Sequence, residues 1–111
     1  MAIAFKALSL AVTGALQTVL DVPLVGLGPV RLTVFNRGFT PLTAGMVEHL
    51  GDQGAVQPVN LDTATFGTLA AQAVAQLVVP PPIQRLRFRA TCTAGSGTLL
   101  DAWVTTPAPT A

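Results

Sequence analysis

The stretch Gln84-Arg85-Leu86-Arg87-Phe88-Arg89-Ala90-Thr91-Cys92-Thr93 alternates strictly along its length. Leu86, Phe88, Ala90 and Cys92 fall in one phase; Arg85, Arg87, Arg89, Thr91 and Thr93 fall in the other. Successive side chains of a strand point to opposite faces of its sheet. This period of two therefore predicts a β-strand with one apolar and one polar face.

Outward from this strand the punctuation is dense. Glycines and prolines cut the chain into short pieces, from Gly14 and Pro23 to Pro80-Pro81-Pro82, Gly95 and Gly97. Such spacing suits many short strands and leaves little room for ordinary helices. The first convincing strand is 16–22, with Leu16, Thr18, Leu20 and Val22 on one face. The next is 30–36, where Val30, Leu32 and Val34 alternate with Arg31, Thr33 and Phe35 before the turn residues Asn36-Arg37-Gly38. Strand 45–50 leads through Gly51-Asp52-Gln53-Gly54, read as a hairpin loop, into a partner strand over 55–61. In 69–79 an Ala-rich start competes with Leu77-Val78-Val79, and the expected strand covers about 73–79. The three prolines after it forbid either element from continuing and fit a crossing between two sheets. Ala94-Gly95-Ser96-Gly97 makes a tight connection into a last strand, 98–105, with Leu100, Ala102 and Val104 opposite Leu99, Asp101 and Trp103. Seven to eight short strands with such turns predict an all-β, two-sheet antiparallel sandwich, jelly-roll or Ig-like. A chain of 111 residues makes one domain. Residues 1–105 are expected to form it, with 106–111, a Thr/Pro/Ala segment, as an extended tail.

Half of the residues are hydrophobic and 10% are charged, against roughly a quarter charged in an ordinary soluble domain. So few charges leave apolar surface exposed, and contiguous apolar surface usually meets a partner. A net charge of +1 argues against a general electrostatic grip on nucleic acid or anionic membrane. No stretch reaches the ~20 apolar residues of a helical membrane span. Lys6 lies within the early apolar stretch instead of before it, so no secretory signal is expected. The single cysteine, Cys92, lies in the core phase of its strand and reads as a small buried hydrophobe.

Chemistry-bearing residues do not assemble in the sequence. A nucleophile needs a base beside it, and the one histidine, His49, follows Glu48 in a strand, where neighbours face opposite ways. One His and one Cys make no structural zinc site. Asp52 and Asp62 sit in or next to turns, where Asp bonds to nearby backbone. No catalytic residue, cofactor or metal is expected. The charged feature with geometry is the ladder Arg85, Arg87, Arg89, each about 6.6–7 Å from the next. It reads in two ways: a clasp for carboxylates of a neighbouring subunit, or a solvated face with cross-strand partners such as Asp101 on the hairpin mate. Phe35 and Trp103 occupy the outward phase of their strands, and aromatics and Arg are enriched in contact surfaces.

Several motifs carry a resemblance. They run over 35–43 (Phe35-Asn36-Arg37-Gly38-Phe39-Thr40-Pro41-Leu42-Thr43), 51–55 (Gly51-Asp52-Gln53-Gly54-Ala55), 61–72 (from Leu61-Asp62 to Leu69-Ala70-Ala71-Gln72), 83–91 (Ile83-Gln84-Arg85-Leu86-Arg87-Phe88-Arg89-Ala90-Thr91), and Ala94-Gly95-Ser96-Gly97 with the closing strand. Over roughly residues 30 to 105 the chain resembles small β-sandwich virion proteins of tailed and related bacteriophages. Gln72, where the lead into a strand often has Gly, and the triple proline depart from the pattern. The resemblance implies a scaffold and a structural role: a capsid decoration or cement protein, homo-oligomeric, contacting the major capsid protein or other virion proteins, located in the virion and assembled in the host cytoplasm. Its interface candidates are Phe35, Phe39, Arg85, Arg87, Arg89 and Trp103. Another virion place (minor capsid, tail or fibre base) stands as an alternative, and a carbohydrate-binding sandwich module as one of a different class.

Overall fold

A computed structural model describes residues 2–23, 29–50, 59–79, 85–93 and 95–106. Among them, eight strands form: β1 (Ala2–Val12), β2 (Gln17–Pro23), β3 (Val30–Asn36), β4 (Leu42–Leu50), β5 (Val59–Asp62), β6 (Val74–Val79), β7 (Arg85–Cys92) and β8 (Thr98–Thr106). One sheet has the order β1-β8-β3-β6 and the other β2-β7-β4-β5, with every pairing antiparallel. These are the two interleaved four-stranded sheets of a jelly roll. We call them sheet A and sheet B.

The strands bury what their alternation predicts. Leu86, Phe88, Ala90 and Cys92 of β7 face Val30, Leu32, Val34, Leu100, Ala102 and Val104 across the gap between sheets, all buried. Phe66, from the loop after β5, packs edge-on against Phe88 with ring centroids 5.2 Å apart and planes at 60°, an arrangement worth about 1 kcal/mol beyond area burial. Room for that loop is made by Gly45 of β4: a Cβ there would collide with the Phe66 carbonyl oxygen. Cys92 lies in this core, its thiol donating to the Val12 carbonyl at 3.4 Å.

Several expectations are corrected. The sequence reading passes over β1, an 11-residue strand paired with β8. Its register shifts between Ile3 and Phe5 and again between Ala7 and Leu10, and such irregularities erase the period of two that marks a strand. β2 starts at Gln17, leaving Leu16 outside and exposed. A shift between Thr18 and Leu20 buries Val19 and Leu20 together and leaves Thr18 exposed. β4 begins at Leu42, earlier than expected, and the strand expected over 55–61 is seen as β5. The Gly51–Gly54 loop and the prolines at 80–82 lie outside the described residues, although β6 and β7, which flank the prolines, belong to different sheets. β8 is not the hairpin mate of β7. The tight turn there, with Gly95 at φ 83° and Ser96 N–H donating to the Thr93 carbonyl, carries the chain from sheet B to sheet A.

Candidate functional site

Two outward faces and one loop end hold the residues singled out from the sequence, and they do not converge. The arginine ladder lies on the outer face of sheet B. Phe35 and Trp103 lie on the outer face of sheet A. Phe39 stands on the loop after β3, at one end of the sandwich.

On sheet B, β7 runs between β2 and β4, so each arginine has strands on both sides. Glu48 of β4 sits opposite Arg87 in register. Its carboxylate accepts from Arg89 Nε at 2.6 Å and Arg89 Nη2 at 3.0 Å, and from Arg87 Nε at 3.1 Å. Although on the outer face, Glu48 is only 3% exposed, because both guanidiniums cover it. Arg85 pairs with Asp21 of β2 at 2.6 Å, nearer solvent. The ladder is thus matched from within the domain by Asp21 and Glu48. Asp101, expected as its partner, is in the other sheet, opposite Phe35 and 3.7 Å from Arg37 Nε. The signal for Glu48 was present in the sequence as a carboxylate in the outward phase of a strand, but its neighbour depended on strand order.

The loop end is organised by Asn36, which is fully buried. Its amide donates to the carbonyls of Thr40 at 2.9 Å and Leu69 at 3.2 Å, while its Oδ1 accepts from the Thr98 hydroxyl at 2.6 Å. One side chain therefore joins the loop after β3, the loop before β6, and the start of β8. Gly38 passes so close to Thr98 that any Cβ would meet its hydroxyl. Gln72 adopts a left-handed φ of 61° and donates from Nε2 to the carbonyls of Arg37 at 2.6 Å and Gly38 at 3.0 Å. The departure from Gly seen in the motif falls on the one described non-glycine residue with positive φ. Around this end a cleft of about 360 Å³ is lined by Ala11, Thr13, Arg37, Phe39, Thr98 and Leu99 among others. Phe39 is 87% exposed.

The outer face of sheet A sets exposed apolar side chains among the polar Arg31, Thr33, Gln76 and Asp101. Val74 and Val78 of β6 are 59% and 58% exposed, and Leu99 of β8 is 40% exposed. Phe35 pairs with Val74 in register, and Trp103 with Thr33, two residues along β3 from Arg31 and its partner Val78. Phe35 and Trp103 are half-buried within this face. Sequence reasoning named the two aromatics and missed the valines. The alternation Val74, Gln76, Val78 was visible, but which phase faced outward was not.

Asp62 accepts from the Ala64 and Thr65 amides and the Thr65 hydroxyl, fixing the turn after β5. Among the described residues no three His, Cys, Asp or Glu gather as a metal site would require, and no helix is long and apolar enough to cross a membrane.

No family model matches the chain, and no curated protein does. Among solved structures, one of infectious bursal disease virus, Gx strain, is similar over 96% of this chain and 32% of that chain, with 12% identity and a TM-score of 0.41. This chain thus spans about a third of that one. A likeness of that size carries no argument about function.

Proposed function

We propose that this chain is a non-enzymatic structural protein of a virus particle, and more narrowly a decoration or cement protein of a bacteriophage capsid. The observation that carries the reading is the set of exposed apolar side chains Val74 and Val78 on sheet A with Leu99 and Phe39 toward the loop end, on a domain with few charges. The jelly-roll order supports it, since this architecture serves viral shells as well as lectins and cupins, although a fold alone does not fix a function. The phage-like motifs identified in the sequence point the same way.

Docking would work by burial of those side chains against a shell protein. About 400 Å² of apolar surface contributes about 10 kcal/mol gross, most of it offset by the cost of association. Where copies are joined to one another, effective concentration then multiplies a weak contact. A non-catalytic role also fits the described carboxylates, since Asp21 and Glu48 hold arginines and Asp62 holds a turn.

The test mixes purified chain with particles from the same source that lack it. Saturable binding and a higher particle disruption temperature are expected, both lost in a Phe39→Asp, Leu99→Asp double variant that keeps the wild-type melting curve. Absence of binding by the wild-type chain would overturn the proposal.

A further inference from the structure

A sandwich has four edge strands, and each presents unpaired backbone groups that invite another chain. Three of the four here carry features that discourage pairing. β1 has two register shifts and Lys6 in its sequence. β2 has a shift, Asp21 outward and Pro23 at its end. β5 is four residues long, with a shift against β4 and Asp62 at its end. β6 differs. Its sequence, Val74-Ala75-Gln76-Leu77-Val78-Val79, has no charge and no proline, and its register with β3 is unbroken from Val79 to Val74. Among the described residues, nothing pairs with its outer edge.

The hydrogen-bond phase of that edge can be read off. Asn36 N–H donates to the Ala73 carbonyl at 2.9 Å and Arg37 N–H to the Leu99 carbonyl of β8 at 2.9 Å, so Val34, Leu32 and Val30, in phase with Asn36, turn their backbone groups to β6 and form its bonded pairs. Bonded and non-bonded pairs alternate in an antiparallel ladder. Val74, Gln76 and Val78 therefore turn their backbone N–H and C=O away from β3. The same three residues carry the exposed side chains.

We infer that β6 pairs antiparallel with β6 of a second copy, about a two-fold axis through Gln76, joining the two A sheets into one. In this register Gln76 faces Gln76 of the partner subunit, and Val74 faces Val78 of the partner subunit. All three facing pairs are of the outward type, so each exchanges both backbone hydrogen bonds. On the core side Ala75 lies beside Leu77 of the partner subunit, small against large. The occupant is a second copy because this strand is complementary to itself on three counts: its bonding phase, its exposed valines and its lack of charge. An isologous contact of this kind closes on itself and stops at two. The short edge buries little area, so the dimer forms with modest affinity. Particle docking is a separate claim: either can fail while the other stands.

Mass measurement from micromolar to millimolar concentration tests the inference. The wild-type chain is expected to double in mass as concentration rises. Gln76→Lys and Gln76→Glu each place like charges opposite one another across the axis and are expected to stay monomeric alone. An equal mixture of the two is expected to restore the doubled mass, which loss of folding would not allow. Gln76→Pro removes an edge donor while sparing the ladder with β3, and is expected to be a folded monomer. A wild-type chain that stays monomeric throughout overturns the inference. So do charged variants that dimerise alone as the wild type does, or a mixture that remains monomeric.

Discussion

Asn36 illustrates how one buried amide holds a domain end. Truncation to Ala would leave the Thr98 hydroxyl without its acceptor and remove one of two donors to the Leu69 carbonyl, which keeps the Leu42 N–H. Buried polar groups left unpaired cost about 1–3 kcal/mol each. Asn36→Ala should lower unfolding free energy by about 2 kcal/mol, measured by urea titration. Asn36→Asp is nearly isosteric but points a carboxyl at two carbonyl oxygens. Only the protonated form can donate there, so its folded-state pKa is raised above the unfolded one. The variant's stability should then be greatest at acidic pH and fall as pH rises towards neutrality, relative to wild type. Gln72 offers a second residue-scale test. With φ at 61° it sits where an L-residue is strained by about 1 kcal/mol or more. Both Gln72→Ala and Gln72→Gly lose the bonds to Arg37 and Gly38, but only glycine relieves the backbone. Gln72→Gly should be more stable than Gln72→Ala by about 1 kcal/mol in thermal unfolding.

At the scale of elements, β7 was the most legible part of the chain. Its alternation gave the strand, its core face and its arginine face, because period two is a local property. What lay beside those arginines was not local. Strand order put β4 and β2 beside β7, so Glu48 and Asp21 answered the ladder and Asp101 did not. The two ion pairs should differ in worth. Arg89 and Glu48 form a two-pronged pair around a carboxylate that is almost fully covered, whereas Arg85 and Asp21 meet near solvent. Arg89→Ala should cost about 2–3 kcal/mol, since it uncovers a buried charge whose other partner remains. Arg85→Ala should cost less than about 1 kcal/mol, and that loss should shrink in high salt. Chemical denaturation of both variants at low and high salt checks the contrast. β1 shows the opposite limit: its two register shifts scramble the phase by which a strand is recognised.

For the whole molecule, the two-layer antiparallel sandwich was legible from turn spacing and alternation. The choice of a jelly roll was not, since it depends on which distant strands meet. The candidate interface was legible in part. Phe35 and Trp103 announced an outward apolar phase, while Val74 and Val78 gained meaning only once β6 was seen as an edge beside them. The most direct measurement of assembly is cosedimentation of the chain with shells from the same source that lack it, across a concentration series. Saturation at a fixed number of copies per shell is expected, with binding lost in the Phe39→Asp, Leu99→Asp variant and retained in Arg85→Ala. A chain that stays in the supernatant at every concentration, or one that binds without saturating, would contradict the proposed role.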